Sequence, residues 1–494
     1  MSANVDDYIK NVIALGDEGS DFLNKRLAPT LKNSRLVDVL NPGMGGQRVL
    51  RVPEGRLVVV HSAAGEHHDD LKSHAASLID RLVVSAWAIH ATPIALADVV
   101  DASTGARSDL ECIAEGLVEK ANYHGVAVLN GELAILGSDI IAKQANVSGT
   151  MISFVSKNVK LPIDSVPGTF SNNGIRYAVF DAGHKAVSIN SDGVGTKVKW
   201  YEMIGEYQQA LYDSVAMKVD DSAKSGAKVM VIADVVETTE EVVLPVMEAK
   251  ALDIGNKLNA SYILQFVNAG NRLKSYNGRA LGFNVSGSAV CVIDEERLCN
   301  PLKPSIGDYV VAIRGKPNPR SNGITSKRKI INEMGSAWCQ KSGASEWHQT
   351  SEGKQFLEFL AQPSTVLYPV FMDLIGKGFA SSVYHISGGA YNGKFARPLA
   401  KHGLFAQLKD IFSPDWREMA MVKFANVPLE KAYAQWPMGN DGFVTTSNPV
   451  EAMQVIQKHG LEAKVVGRVE SGRTGVELVG IKASDGKNVY FSGG

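Results

Sequence analysis

Cysteine is scarce in this chain, and so is any excess of charge. The four cysteines, Cys112, Cys291, Cys299 and Cys339, form no CxxC pair and no Cys/His spacing that would build a zinc site. A disulfide framework is thereby excluded, and a reduced, cytoplasmic compartment is expected. The 51 basic and 52 acidic residues leave a formal charge of −1, so no electrostatic surface for nucleic acid or an anionic membrane is implied. The N-terminal stretch MSANVDDYIK is acidic and lacks the apolar core of a secretion signal. Without that context, Asn146-Val147-Ser148 and Asn284-Val285-Ser286 match a glycosylation acceptor only by coincidence of pattern. Long hydrophobic runs are also missing. The longest, Leu82 to Val100, is divided by His90 and Pro93; Leu78, Leu82, Ala86 and Ile89 mark a helical stripe before the break, and IALADVV reads as a strand after it. With 494 residues, the chain exceeds one ordinary core, and two to four domains acting on small molecules are expected.

What is present is a repeat. ALADVVDA (Ala95 to Ala102) returns as VIADVVET (Val231 to Thr238), and NVSGT (Asn146 to Thr150) returns as NVSGS (Asn284 to Ser288), at nearly the same offset. Between them LVVVHS (Leu57 to Ser62) matches AVSINS (Ala186 to Ser191) as a strand. SLIDRLVVSAW (Ser77 to Trp87) matches ALYDSVAMKVD (Ala210 to Asp220) as a helix with an aspartate at its fourth position. A second helix follows in both, Asp109 to Ala121 and Val246 to Leu258, with Leu110, Ile113, Leu117 and Ala121 on one face of the first. Each unit therefore reads as β-α-β-α-β-β, an α+β layer with helices over one face of a sheet. The boundaries this implies are a leader over 1–50 containing a loop at Asn41 to Gly46, a first repeat over 51–160, a second over 161–295, and a C-terminal α/β domain over 296–494. Within the last, Gly335 to Lys354 reads as an irregular surface excursion.

The second repeat carries INSDGVGTK (Ile189 to Lys197). Asp192 follows a strand, and Gly193 and Gly195 would let backbone N–H groups approach phosphate oxygens, with Thr196 and Lys197 beside them. The GxxxxGK[ST] spacing of a Walker loop is absent, and alone the pattern also describes an ordinary turn. MKVDD (Met217 to Asp221) adds two carboxylates at a helix end, which suit Mg²⁺ as well as they suit solvent. The first repeat has Ala63, Trp87 and Ala88 at the matching places, yet it alone keeps Glu132 in a glycine turn, where the second has Gly270. One site shared between the repeats, with Asp192, Asp220, Asp221 and Glu132 as metal ligands, is the expectation. The C-terminal domain offers three polar loops: Arg320-Ser321-Asn322-Gly323 before a helix, Gly388-Gly389 in HISGGA, and Asn440-Asp441 in PMGNDGFVTT. The first and second suit an anion.

In this order, SDGVGTK, MKVDD, PRSNGITSKRKI, HISGGA and PMGNDGFVTT, with VVGRVE (Val465 to Glu470) near the end, the chain resembles the phosphoribosylformylglycinamidine cyclo-ligase (aminoimidazole ribonucleotide synthetase) family of purine biosynthesis. The resemblance spans about residues 170 to 485, and it implies an N-terminal α+β domain here present in tandem, pairing as a β-barrel covered by helices, plus a C-terminal domain that closes over the nucleotide. It also implies an ATP-dependent ligase in which Asp192, Lys197 and Asp220 are catalytic, Gly193, Gly195, Thr196, Lys197 and Asp221 meet ATP, and Mg²⁺ sits on Asp192, Asp220, Asp221 and Glu132. Arg320, Ser321, Asn322, Gly323, Gly388, Gly389 and Asn440 would hold a ribonucleotide. Arg320 stands where the family has histidine, and the Gly-Gly-Glu-Thr turn survives only as Asn130-Gly131-Glu132. The same fold also serves thiamine-monophosphate kinase and selenophosphate synthetase, and an inactive nucleotide-binding homologue is the non-enzymatic alternative. A monomer with an internal pseudo-dimer, or a homodimer, is expected.

Overall fold

A computed structural model describes residues 16, 18–34, 36–39, 48–66, 68–129, 131–138, 140–161, 168–239, 243–270, 272–273 and 282–493. Two compact units divide the chain. One extends to Ser222 and resumes over Ala227–Cys299; the other is Asn300–Gly494 with Ala223–Gly226. Among the described residues no helix is long and apolar enough to cross a membrane.

The first unit begins with α1 (18–27), β1 (Val37–Val39), β2 (Arg48–Arg51) and β3 (Arg56–Ala64). Next come α2 (Leu71–Ala88), β4 (Thr92–Ala102), α3 (Arg107–His124), β5 (Ala127–Val128), β6 (Glu132–Ile135) and β7 (Ala145–Ser156). A hairpin of β8 (Thr169–Asn172) and β9 (Ile175–Phe180) leads to β10 (Ala186–Gly193), α4 (Val198–Ile204), α5 (Ala210–Ala223), β11 (Lys228–Thr238), α6 (Leu244–Leu258), β12 (Ser261–Asn268), β13 (Phe283–Ile293) and α7 (Glu295–Cys299).

These strands make two sheets, β5-β4-β7-β3-β9-β8 with β6 also beside β4, and β1-β2-β10-β13-β11-β12. The centres match strand for strand: Asp98 of β4 lies opposite Gly149 of β7, and Asp234 of β11 lies opposite Gly287 of β13. Val58, Val60, Ala97 and Ile152 of one sheet pack with Val187, Ile189, Ala233 and Val290 of the other in a shared core. The opposite face of the first sheet is covered by α2 and α3 through Leu78, Leu82, Ile113 and Leu117. Every residue of β13 is buried, so both of its faces are covered, and its polar residues Asn284, Ser286 and Ser288 all lie in the interior. Asp70 caps α2 by accepting from the N–H groups of Lys72 and Ser73, and α3 crosses it closely at Gly116, where a Cβ would stand 2.2 Å from the Lys72 carbonyl.

The expected leader is corrected by this pairing. Phe22, Leu23 and Leu27 enter the α2–α3 core, and β2 pairs with β10. The exchange is reciprocal: β9, which precedes the second group of strands in sequence, pairs with β3 of the first. The expected boundary at 160/161 therefore cuts across sheet pairing, because each hairpin adds to the other half's sheet. The loop expected at Asn41 to Gly46 lies outside the described residues.

The second unit holds β14 (Tyr309–Arg314), α8 (Ile324–Ser342), α9 (Ser351–Leu360), α10 (Tyr368–Gly376), β15 (Ser382–His385), α11 (Arg397–Lys401), β16 (Phe405–Leu408), α12 (Trp416–Phe424) and α13 (Leu429–Gln435). It ends with β17 (Gly442–Thr446), α14 (Pro449–Lys458), β18 (Glu462–Glu470), β19 (Gly475–Lys482) and β20 (Asn488–Phe491). Its mixed sheet runs β15-β17-β14-β18-β16-β19-β20. The excursion expected over Gly335 to Lys354 is instead mostly helical. Trp347 is buried against Gly335, where a Cβ would stand 2.2 Å from the tryptophan Cβ, and this contact folds the segment inward. Both units mix sheets with helices, an α+β architecture.

Candidate functional site

The SDGVGTK segment closes β10. Asp192 lies opposite Gly287 and Gly193 opposite Ser286, after which Gly195, at φ +68°, turns the chain into a short 3-10 turn and α4. The Asp192 Oδ1 accepts from the Gly193 N–H at 2.7 Å. Thr196 and Lys197, expected at phosphates, are buried. Lys197 Nζ donates to Asp213 Oδ1 at 3.0 Å, with both side chains inaccessible to solvent, while the Tyr201 hydroxyl donates to Asp213 Oδ2. A carboxylate carried into the interior requires a cation, and α5 delivers Asp213 directly beneath this turn. Lys197, expected at phosphate, has its ammonium on Asp213.

A polar cluster that the sequence reading passed over faces the same turn. Asp101 of β4 and Glu237 of β11 are matching residues of the repeated strand, and both are buried between the sheets. Asn284 Nδ2 donates to Asp101 Oδ2 at 2.6 Å and to Glu237 Oε2 at 3.2 Å. Its counterpart Asn146 donates to Glu237 Oε2 at 3.1 Å. The matching serines, Ser148 and Ser286, meet at 2.8 Å. Asp101 Oδ1 stands 3.8 Å from the position a Cβ would occupy on Gly193. Burial pushes the Asp101 carboxyl up to about 7, aided by the negative charges of Glu237 and Asp192. Acids of both halves thus meet at the glycine turn. The signal was in the sequence: ALADVVDA/VIADVVET and NVSGT/NVSGS carry these residues, and the buried asparagines are the two glycosylation look-alikes.

The expected metal set is not assembled. Lys197 meeting Asp213 fixes the start of α5 at the Asp192 end of β10, and Asp220 lies seven residues further along, about 10 Å at ~1.5 Å per residue. Further along α5 the Lys218 carbonyl accepts from Asn190 Nδ2 at 2.9 Å, so the helix runs back along β10 away from Asp192 as it approaches Asp220 and Asp221. Glu132 does fall on the Asp192 side: it lies opposite Val99 on β6, and a Cβ on Gly131 would come within 3.0 Å of Ser191 Cβ. Asn130 lies outside the described residues. Among the described residues no three His, Cys, Asp or Glu side chains are grouped to hold a metal ion. Mg²⁺ on Asp192, Asp220, Asp221 and Glu132 does not fit this geometry.

In the second unit the three polar loops come together around Asp441. Its Oδ2 accepts from the Gly315 N–H at 2.7 Å and the Thr365 hydroxyl at 3.0 Å, and its Oδ1 accepts from Asn318 at 3.2 Å and Arg320 Nη1 at 3.4 Å. The Ile386 N–H donates to the Asp441 carbonyl at 2.9 Å, and Asn322 Nδ2 to the Ile386 carbonyl at 3.4 Å. Each loop carries a non-glycine residue in the left-handed region: Arg320 at φ +49°, Ala390 at +40° and Met438 at +46°. Strain of this kind persists only where surroundings over-determine it, and it gathers at ligand sites. Ser321 Oγ is buried with no hydrogen-bond partner among the described residues. Gly323, at φ +61°, starts α8 where a Cβ would collide with Trp436 at 2.3 Å. Gly388 has open space around it, and Gly389 takes φ +78°. Two residues expected at the substrate have partners within the protein. Arg320 is fully buried and donates also to the Thr365 carbonyl at 3.1 Å. Asn440 spends its amide on the backbone, donating to the carbonyls of Phe412 at 3.0 Å and Met438 at 3.2 Å. Both hold loops in place.

Residues 46–155, from the hairpin before β3 into β7, match the family model "AIR synthase related protein, N-terminal domain". That stretch of the chain is thus similar to the AIR synthase N-terminal domain. The phosphoribosylformylglycinamidine cyclo-ligase of Thermoplasma volcanium is 25% identical over 304 residues, 61% of this chain and 84% of that protein. The namesake of Methanobrevibacter smithii is 25% identical over 335 residues, 65% of this chain and 90% of its own, and that of Thermococcus kodakarensis 27% over 312, covering 62% and 86%. Among solved structures, thiamine-monophosphate kinase from Stenotrophomonas maltophilia aligns with a TM-score of 0.41 at 11% identity, over 64% of this chain and 92% of that one. The family model falls on the segment that includes Ala63 and stops short of Asp192.

Proposed function

We propose that this chain is an ATP-dependent cyclo-ligase converting formylglycinamidine ribonucleotide to aminoimidazole ribonucleotide, as the names of its relatives suggest. In this reading the two facing sheets are tandem copies of one domain, over 51–160 and 161–295, closed as a β-barrel that removes exposed strand edges. Residues 296–494 are the substrate-holding domain. The matching strand orders and the reciprocal hairpins support the duplication. The observation that carries the functional reading is the meeting of Asp192 with Asp101 and Glu237 at the glycine turn.

The reaction balances as two displacements. The formyl oxygen attacks the γ-phosphorus of ATP and ADP leaves; the amidine nitrogen then attacks the activated carbon, phosphate leaves, and a nitrogen-bound proton passes to a base as the ring closes. Such chemistry asks a protein chiefly for positioning and charge control. In the Gly193–Gly195 turn the N–H groups of Gly193 and Val194 are taken by Asp192 Oδ1 and the Val285 carbonyl, so the Gly195 N–H is the one that would face phosphate. Lys197 acts through Asp213, fixing the turn. Ser321, Asn322, Gly388 and Gly389 would face the ribonucleotide, with Arg320 and Asn440 shaping their loops. No step is assigned to a metal ion, because the carboxylates expected to bind one do not converge.

The test is substrate-dependent ADP release. Asp192→Ala is expected to abolish it while leaving the circular dichroism spectrum and melting transition in place. Full turnover in Asp192→Ala removes the residue from the mechanism. Release with another phosphate acceptor, but none with formylglycinamidine ribonucleotide, would assign a kinase instead.

A further inference from the structure

The turn after β3 and the turn after β10 occupy matching places with opposite polarity. After β10 the Val194 N–H donates to the Val285 carbonyl at 3.0 Å; after β3 the Gly65 N–H donates to the Val147 carbonyl at 2.9 Å. Beyond that shared bond the two diverge. The loop after β3 turns its carbonyls onto basic side chains: Arg81 Nη1 donates to the Ala64 carbonyl at 2.7 Å, His74 Nδ1 to the Glu66 carbonyl at 2.6 Å, and Arg272 Nη2 to the His68 carbonyl at 2.6 Å. His74 Nε2 accepts the Val147 N–H at 3.1 Å, which places the ring proton on Nδ1. A Cβ on Gly65 would stand 2.8 Å from that ring. This loop presents carbonyl oxygens where an anion needs N–H donors, and the protein's own side chains fill it.

Arg272 reaches this loop from the other half. The Ala269 N–H donates to the Thr238 carbonyl at 3.0 Å and the Arg272 N–H to the Ala269 carbonyl at 3.0 Å, which fastens the segment after β12 beside the end of β11 that carries Glu237. The Arg272 side chain is 4% exposed, and its Nη1 donates to the Ala145 carbonyl at 3.1 Å. The next residue, Asn146, gives its amide to Glu237. The start of β7 thus gathers guanidinium and carboxylate at neighbouring residues. A guanidinium keeps its charge inside a protein, so its burial calls for a negative charge nearby as well as carbonyl acceptors. Burial lowers the Arg272 guanidinium from its ordinary value, and the carboxylates of Glu237 and Asp69 oppose the fall. Glu237 in turn shares Asn284 with Asp101, the acid that stands at the Asp192 turn.

We propose that Arg272 is a positioning residue: clamped on carbonyls of the first half, its guanidinium holds Glu237 as an ion in the interior and, through the Asn284 bridge, fixes Asp101 at the Asp192 turn. The filled turn is then the back wall of the open one. Arg272 touches neither nucleotide nor substrate in this arrangement; it acts through Glu237, Asn284 and Asp101 in sequence. The inference deepens the reading of the Asp192 turn as the reacting site, and rests on the cyclo-ligase assignment only for the turnover that reports it.

Two measurements on the full chain test it, and the first needs no turnover. In urea unfolding Arg272→Ala should lower the midpoint, and Arg272→Ala with Glu237→Gln should recover most of that loss, because the amide needs no cation. A single variant that fails to fold beside a double variant that folds is the same result in stronger form. The second is substrate-dependent ADP release. Arg272→Gln, which keeps hydrogen-bonding groups without the charge, should lose about tenfold or more in kcat with the KM for ATP nearly unchanged; Arg272→Lys should retain most of the parent's kcat. Millimolar guanidinium chloride, against equal sodium chloride, should restore turnover to Arg272→Ala. A double variant no more stable than Arg272→Ala, or parental kcat in Arg272→Gln, overturns the proposal. If the parent releases no ADP with formylglycinamidine ribonucleotide, the cyclo-ligase reading falls, and the urea comparison decides the Arg272–Glu237 link alone.

Discussion

Asp98 and Asp234 occupy the same place in two matching sheets, each opposite a glycine of the central strand, and their surroundings could hardly differ more. Asp234 receives Lys218 Nζ, the Ser214 hydroxyl at 3.0 Å and the Tyr262 hydroxyl at 2.6 Å, all buried. Asp98 has no well-directed hydrogen bond on either carboxyl oxygen and no cation among the described residues, and burial pushes it up to about 6 against the weaker pull of the Asp98 and Gly131 backbone N–H groups. The helix residue aligned with Lys218 in the first half is Ser85, whose hydroxyl turns back to the Arg81 carbonyl. Asp213 and Asp80 repeat the contrast: the former is sealed with Lys197 and Tyr201, the latter is part-exposed and held by Lys120 at 2.8 Å and His124 at 2.7 Å. One backbone plan therefore seals ion pairs in the interior around the glycine turn, while the matching places in the first half have either no cation, at Asp98, or a pair nearer the surface, at Asp80. Buried ion pairs seldom add net stability over apolar packing. Their concentration beside Asp192 is consistent with a functional role there.

The contrast can be broken most forcefully at Lys218. Lys218→Met leaves Asp234 buried with its cation removed, and a loss of about 3 to 5 kcal/mol is expected in urea unfolding. Ser85→Ala, the matching change in the first half, should cost about 1 kcal/mol or less. Equal losses would erase the distinction between the halves.

Next in size is the pH response of Asp98. Its folded value, about 6, lies above the ordinary 3.8, so between these pH values the folded state holds more protons than the unfolded state. Stability must then fall as pH rises through that window, by about 3 kcal/mol for a shift of this size. Asp98→Asn should flatten this fall, measured as urea midpoints from pH 4 to pH 7. An unchanged slope would show that Asp98 is ionised in the folded protein and partnered after all. The smallest effect belongs to a feature outside the contrast: Asp70→Ala removes the cap of α2 and should cost about 1 kcal/mol.

Much of this was legible in the sequence because local pattern and function coincide. The break at His90 and Pro93 does separate α2 from β4, and the Asp192 turn does close a strand. The repeated tetrads around Asp98 and Asp234 mark matching strands. Pairing partners were not legible. Nothing in the β2 or β9 sequence says that each hairpin joins the other half's sheet, since register over such separations is set by the assembled core. Nor does the pattern SDGVGTK reveal that Lys197 is claimed by Asp213; that depends on how α5 packs beneath the turn. Trp347 shows the same limit, because a segment rich in glycine and serine reads as surface until one of its two indole rings packs on Gly335. Asp101 and Glu237 were visible as repeated letters, but their meeting with Asp192 required the two sheets to face one another.

The account stands or falls on the two halves sharing one site at that turn. The direct measurement is formylglycinamidine-dependent ADP release by Asp101→Asn beside Asp98→Asn, a pair of changes three residues apart on β4 that point to opposite faces. Asp101→Asn should lose at least a hundredfold in kcat/KM while Asp98→Asn stays within a fewfold of the parent. Wild-type turnover in Asp101→Asn would contradict it, and place the chemistry within the second half alone.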